Sequence, residues 1–264
     1  MKKYDIIIAG AGASGVFMSY ELTRRENSAS VLMLDKGAPL EKRVCPIKTG
    51  RTRTCVKCSP CHIMNGYGGA GTLSDGKYNI TTQFGGDLHR YVGVDEAMRL
   101  MEYVDSVLCA MGGAEAKLYS TADSDLKTKC LQNNLHLLEA KVRHLGTDRN
   151  VEILGHIFDY IKDRIDTQFY TTIEEVETVD GSGFIVRTDK GDFACDKLVL
   201  ATGRSGSKWI SGVCDKLGIE QKKNRVDIGV RVVTHVFHRM ERRLSFVIKA
   251  IFTKSPHRVG QPFS

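Results

Sequence analysis

A short apolar run, YDIIIAG (4–10), leads straight into GAGASG (10–15). GVFMSYELTRR (15–25) follows, with Val16, Tyr20 and Leu22 at helical spacing. SVLMLDKG (30–37) is a second apolar run that ends on an acid. This strand–glycine turn–helix–strand order constrains the chain more than any other feature, because it commits the first 37 residues to one α/β unit.

The three glycines differ in task. Gly10 permits the tight turn, Gly12 lets the backbone approach a pyrophosphate, and Gly15 allows the helix to pack closely on the strand. The helix start at Ala13 and Ser14 offers free N–H groups to phosphates. Asp35 stands 20 residues beyond Gly15, placed to accept from ribose hydroxyls.

Downstream, residues 38–94 show little periodicity and read as long loops. DEAMRLMEYVDSVLCAM (95–111) and VEILGHIFDYIKDRI (151–165) read as amphipathic helices, the second capped by Asp148 or Asn150. The segment between them is ambiguous. The period then changes to two: TQFYTTIEEVETV, GFIVRTD and GDFACDKLVLATG read as three antiparallel strands joined by DGSG (180–183) and DKGD (189–192). KLVLATG (197–203), with its apolar run Leu198–Ala201, fits a buried parallel strand. WISGVCDKLGI (209–219) reads as a helix and RVDIGVRVV (225–233) as a strand.

Composition narrows the class. The net charge of +7 is concentrated in residues 228–264, which carry seven Lys or Arg and one acid, Glu241. The body is nearly neutral and lacks a basic patch with interleaved aromatics, which argues against nucleic acid as a partner. No run reaches the roughly 18 apolar residues that span a bilayer. Asp5 interrupts the one stretch that resembles a signal peptide. A cytoplasmic protein with reduced thiols is expected.

The pairing GAGASG…LDKG…LVLATG, with the antiparallel meander ahead of the last strand, resembles the FAD-binding domain of the glutathione reductase-like flavoproteins. With CPIKTGRTRTCVKCSPCHIMNGYGGAGTLSDGKYN, RHLGTDRN, ATGRSGSKW and VDIGVRV, the chain from residue 1 to about 232 is similar to the uncharacterised bacterial FAD-dependent dehydrogenases of that superfamily. The resemblance implies an α/β fold: a Rossmann-like FAD-binding domain of parallel sheet plus three-stranded antiparallel meander, a helical and loop insertion, and an incomplete second domain. The FAD domain would cover 1–210, as 1–45 and 150–210 with 46–149 inserted, and 211–264 would begin a substrate domain. Gly10, Gly12, Ala13, Ser14 and Gly15 would hold the FAD pyrophosphate and Asp35 the ribose, with Lys36 flanking it. Gly69, Gly71, Ser74 and Gly76 would pass beside the flavin and pyrophosphate. Val176 would present backbone to the adenine, and Ala201, Thr202 and Gly203 would lie near the nucleotide. Family chains are longer, so a truncation or a reading-frame change near residue 233 is expected. HVFHRMERRLSFVIKAIF (235–252) would then be an amphipathic helix within a basic tail that begins at about 234.

Half of the eight cysteines fall in one stretch, with Cys45, Cys55, Cys58 and Cys61 spaced C-x9-C-x2-C-x2-C. Four thiolates satisfy either an iron–sulfur cluster or tetrahedral zinc. A redox dithiol beside Arg51, Arg53 and Lys57, or four unrelated thiols, are the other readings. Arg143 and His144 are candidate substrate contacts. Taken together, the chain is expected to be an FAD-dependent oxidoreductase, its substrate and redox partner unassigned, with electrons relayed through a cysteine-held cluster. The alternatives are an inactive nucleotide-binding fragment and a zinc-binding interaction module. No residue stands out as a general acid or base.

Overall fold

The computed structural model describes residues 1–122, 125–179, 183–222, 229–231 and 249–251. The chain divides into two units, Met1–Leu217 and Gly218–Ser264.

The first unit opens with β1 (Lys2–Ala9), α1 (Ala13–Arg24) and β2 (Val31–Leu34). The segment after β2 carries β3 (Lys77–Ile80), α2 (His89–Val92), α3 (Val94–Leu108), β4 (Leu118–Ser120), α4 (Leu126–Gln132) and β5 (Lys141–His144). Then come α5 (Thr147–Ile161), β6 (Asp166–Gln168), β7 (Ile173–Thr178), β8 (Phe184–Thr188), β9 (Phe193–Leu200) and α6 (Ser207–Lys216). In the second unit β10 (Gly229–Arg231) pairs antiparallel with β11 (Lys249–Ile251). Lys249–Ile251 is thus strand where a helix over 235–252 was expected, and the remainder of that stretch lies outside the described residues.

The main sheet has the order β6-β2-β1-β9-β8-β7. Its first four strands are parallel, and β9, β8 and β7 form the antiparallel meander. The expected α/β architecture is present. β9 belongs to both halves. It runs parallel to β1 along its length and antiparallel to β8 at Phe193–Cys195.

β1 and β2 are apolar on both faces because both faces are covered. Ile6, Ile8, Val31 and Met33 pack on one side with Val16 of α1 and Ile153, Ile157 and Ile161 of α5. Ile7, Leu32 and Leu34 pack on the other with Val186 and Cys195. Each fully buried isoleucine contributes about 1.5–3 kcal/mol.

Three expectations are corrected. TQFYTTIEEVETV is two strands, β6 and β7, at opposite edges of the sheet. The break falls at Tyr170, which holds φ +55° and donates its N–H to the Gly37 carbonyl (2.9 Å). The segment read as loop and ambiguous sequence contains a second antiparallel sheet, β3-β5-β4. Helix α5 begins at Thr147, after Gly146 at φ +79°, so Asn150 lies inside the helix rather than at a cap.

Helix α1 is tied to α3 through Glu21. Its carboxylate accepts from Arg24 (2.9 Å), Arg25 (3.2 Å) and the Tyr103 hydroxyl of α3. Arg24 holds the Glu21 carboxyl down at about 2, helped by Tyr103 and opposed by desolvation. A depressed folded value means the stabilisation is complete above about pH 4.5, the ordinary glutamate value, and is lost as pH falls towards 2. Urea unfolding at stepped pH should therefore show a shallower loss of stability for Glu21→Gln than for the parent over that interval. Equal losses would remove Glu21 from the acid response.

Candidate functional site

A cavity of about 370 Å³ opens at the C-terminal ends of β1, β2 and β9, the place where open α/β sheets hold ligands. Its size falls within the range of small-molecule and cofactor pockets.

One wall is the turn between β1 and α1. Gly10 sits at φ +112°, and a Cβ there would meet the Ala201 carbonyl oxygen at 2.5 Å. A Cβ on Gly15 would fall 2.0 Å from the Gly10 carbonyl oxygen, so α1 can approach β1 only with glycine there. Gly12 differs. A Cβ there would find its nearest atom at 3.9 Å, so a longer side chain would grow into the cavity that Gly12 lines. The first N–H groups of α1 have no intrahelical acceptor, and Ala13 and Ser14 line the cavity. No acidic residue occupies that first turn.

The facing wall is a second glycine strap, Gly66–Gly71, laid backbone to backbone on the first. Gly12 and Gly68 form a parallel bridge, and Gly68 N–H donates to the Ala11 carbonyl (2.7 Å). Gly66, Gly68 and Gly69 all hold positive φ. The third wall is Ala201, Thr202 and Gly203 after β9. The Thr202 hydroxyl oxygen is buried and has no hydrogen-bond partner.

Asp35 lines the cavity at the tip of β2, but its carboxylate is largely occupied. Oδ2 accepts from Ala11 N–H (2.9 Å), and Oδ1 from Gly37 N–H (2.7 Å) and Gly66 N–H (3.0 Å). Three of roughly four lone-pair directions are used. The expected ribose-accepting role shrinks to one remaining direction, and the main duty of Asp35 is to hold the two glycine segments together.

Of the expected residues, Gly10, Gly12, Ala13, Ser14, Asp35, Lys36, Gly69, Gly71, Ala201, Thr202 and Gly203 line this cavity. Gly15 supports it from behind. Ser74 and Gly76 lie outside it. The Ser74 hydroxyl donates to the Gly71 carbonyl (2.6 Å), and Gly76 turns the chain into β3 against Gly146 and Asn150. Val176 is buried in β7 opposite Val186, and β7 reaches the cavity at Ile173 instead. The sequence reading missed Gly66, Gly68, Thr172, Ile173, Arg204 and Trp209. The first two stood in the same glycine run, and Trp209 in the ATGRSGSKW stretch.

The four cysteines are corrected. Cys45, Cys55, Cys58 and Cys61 are free, and among the described residues no group of three or more Cys, His, Asp or Glu gathers as metal ligands. The chain just after these cysteines is anchored by Arg43, only 5% exposed. Its guanidinium donates to the carbonyls of His62 (3.0 Å), Ile63 (2.7 Å) and Tyr67 (2.6 Å). Arg143 is also structural. It pairs with Asp105 (2.6 and 2.8 Å) in a largely buried site and donates to the Ala116 carbonyl, while His144 is exposed on β5. Neither lines the cavity.

No protein-family model and no curated protein matches the chain. Among solved structures it is similar to glycine oxidase from Geobacillus kaustophilus, at 17% identity over 83% of this chain and 59% of that one (TM-score 0.48). It is also similar to 3-ketosteroid-delta4-(5alpha)-dehydrogenase from Rhodococcus jostii RHA1, at 16% identity over 80% and 48% (TM-score 0.49). L-amino acid deaminase from Proteus vulgaris matches at 15% identity over 83% and 51% (TM-score 0.42). The chain spans less than two thirds of each. Any functional reading rests on the residues of the site.

Replacing Asp35 by Asn would turn an amide donor towards one of the three backbone N–H donors. Asp35→Asn should cost about 2–3 kcal/mol in urea unfolding. A change within about 0.5 kcal/mol would show that the carboxylate does not hold the turn.

Proposed function

We propose that this cavity binds FAD and that the chain is the cofactor-binding part of an FAD-dependent oxidoreductase. The observation that carries the reading is the pairing of two glycine segments, Gly10–Gly15 and Gly66–Gly71, around the exposed start of α1. Together they form a wall of backbone with no acidic side chain in the first helical turn, suited to a pyrophosphate. The open space beside Gly12 fits a ligand lying along that wall.

On this reading Gly12, Ala13 and Ser14 receive the pyrophosphate from one side and Gly69 and Gly71 from the other, while Gly10 and Gly15 let the turn close behind them. The free lone pair of Asp35 takes a ribose hydroxyl, with Lys36 beside it. Ala201, Thr202 and Gly203 close the floor. The antiparallel meander that feeds β9, in place of a further helical crossover, favours FAD over a nicotinamide dinucleotide as the resemblance to the flavoproteins implies. Bound flavin would supply the hydride or electron chemistry. The chain's own contribution is to bind and orient. The ionisable residues of the described lining are Asp35, Lys36 and Arg204, and Asp35 is committed to backbone donors. The four cysteines are not gathered as a ligand set among the described residues, and no electron step is assigned to them.

In domain terms, residues 1–210 would be the FAD-binding domain with 46–149 inserted, and 211–264 the start of a substrate domain. A cytoplasmic setting, where thiols stay reduced, accords with eight free cysteines. Among the described residues, no helix is long and apolar enough to cross a membrane.

The test is FAD uptake by the purified chain, followed by visible absorption and by flavin released on heating. About one FAD per chain is expected. Gly12→Val should abolish uptake while shifting stability by no more than about 1 kcal/mol, because its side chain fills ligand space rather than core. A folded, colourless protein that takes up no added FAD would overturn the proposal. Uptake of ADP alone would leave a nucleotide-binding module that turns nothing over.

A further inference from the structure

The cavity is chemically uneven. Its glycine end, Gly12 to Ser14, offers backbone donors, the Gly10 and Ala11 N–H groups being taken by Leu34 and Asp35. Beyond Asp35 at the tip of β2, the lining changes to Thr171, Thr172, Ile173 and Trp209. A dinucleotide whose pyrophosphate lies on the glycines and whose ribose reaches Asp35 would deliver its base to this second end.

We infer that the indole of Trp209 is the platform on which that base, a purine, stacks. This rests on the nucleotide reading above and adds a residue and a chemical preference to it. Trp209 lies in the first turn of α6, and its Nε1–H donates to the Glu174 carbonyl of β7 (3.4 Å). With its polar edge held by the backbone, the residue presents carbon ring surface to the cavity. It is the sole aromatic residue in the described lining and the only tryptophan in the chain. The side chain is only partly buried, so ring surface is available for a ligand to cover. Flat aromatic faces bind bases without needing a particular hydrogen-bond pattern, and the contact strengthens with the size of the base. Ile173 offers a second apolar contact at the same end. Specificity for purine over pyrimidine would then come from stacked area rather than from hydrogen bonds.

Because the chain has one tryptophan, all of its tryptophan emission reports on position 209. The full chain, freed of bound nucleotide, is titrated with ADP while emission and calorimetric heat are followed together. Emission should be quenched along the same isotherm as the heat, and UDP should bind more weakly. Trp209→Leu should weaken ADP binding roughly tenfold, Trp209→Phe by less, with inorganic pyrophosphate bound equally by all three. ADP binding with unchanged emission, or with equal affinity in Trp209→Leu, overturns the stacking role and leaves the cavity a nucleotide site. Absence of ADP binding overturns both. Should a variant fail to fold, the emission titration of the parent chain decides.

Discussion

The site depends on one carboxylate with three backbone donors. Asp35 gathers Ala11, Gly37 and Gly66 onto its two oxygens, and these amides belong to three chain segments that share no helix or strand. Its own backbone extends the junction: its N–H donates to Gln168 of β6 (3.1 Å), and its carbonyl accepts from Thr171 N–H ahead of β7 (3.0 Å). Hydrogen bonds to an ionised acceptor are roughly twice as strong as neutral ones. A single short side chain therefore fixes where the first glycine turn, the second glycine strap and the entry to the meander meet. The cavity is what remains between them.

Two other buried polar side chains extend this arrangement outward. Arg43 secures the carbonyls from His62 to Tyr67. Burial pushes its pKa down, and nearby Asp35 and Cys61 oppose that shift. Asn150, fully buried in α5, donates to the carbonyls of Gly71 (3.0 Å) and Thr72 (2.9 Å) and accepts from the Tyr78 hydroxyl (2.7 Å). The glycine strap has one large side chain with which to pack, Tyr67, fully buried against Phe158 and Phe169. Its carbonyls are held from outside, by Arg43 at one end and Asn150 at the other. Buried polar groups of this kind specify a single geometry as long as each is satisfied.

This division explains what was legible in the sequence. The β1–α1–β2 unit announced itself because two buried parallel strands must be apolar throughout, and because Gly10 and Gly15 each answer a steric demand made by a near neighbour. The ATG strand was legible from its apolar run, although Leu198, Val199 and Leu200 are half-buried rather than buried. The glycine strap from 66 to 71 was not legible, since its order comes from Arg43, Asn150 and the buried Tyr67, and none of these leaves a periodic trace. The meander was misread at Tyr170, where a positive φ in a β-rich run splits one apparent strand between two edges of the sheet. The cysteine spacing suggested a ligand set. The thiols are instead distributed along a loop, and the Arg43 guanidinium anchors the carbonyls that follow it.

β9 has a consequence for how such a chain comes to be built. Its partner on one side, β1, lies at the other end of the unit: Ile7 pairs with Leu198 and Ala9 with Leu200. During synthesis β1 and β2 leave the ribosome long before the strand that must lie beside β1. Until residues 193–200 emerge, one edge of an apolar parallel strand stays open. Contacts of such sequence separation are slow to form, and open strand edges invite association with other chains. The floor of the cavity, Ala201 to Gly203, follows immediately after that strand. Closing the sheet and completing the site are therefore the same late event, and a nascent chain has neither until residue 203 has emerged.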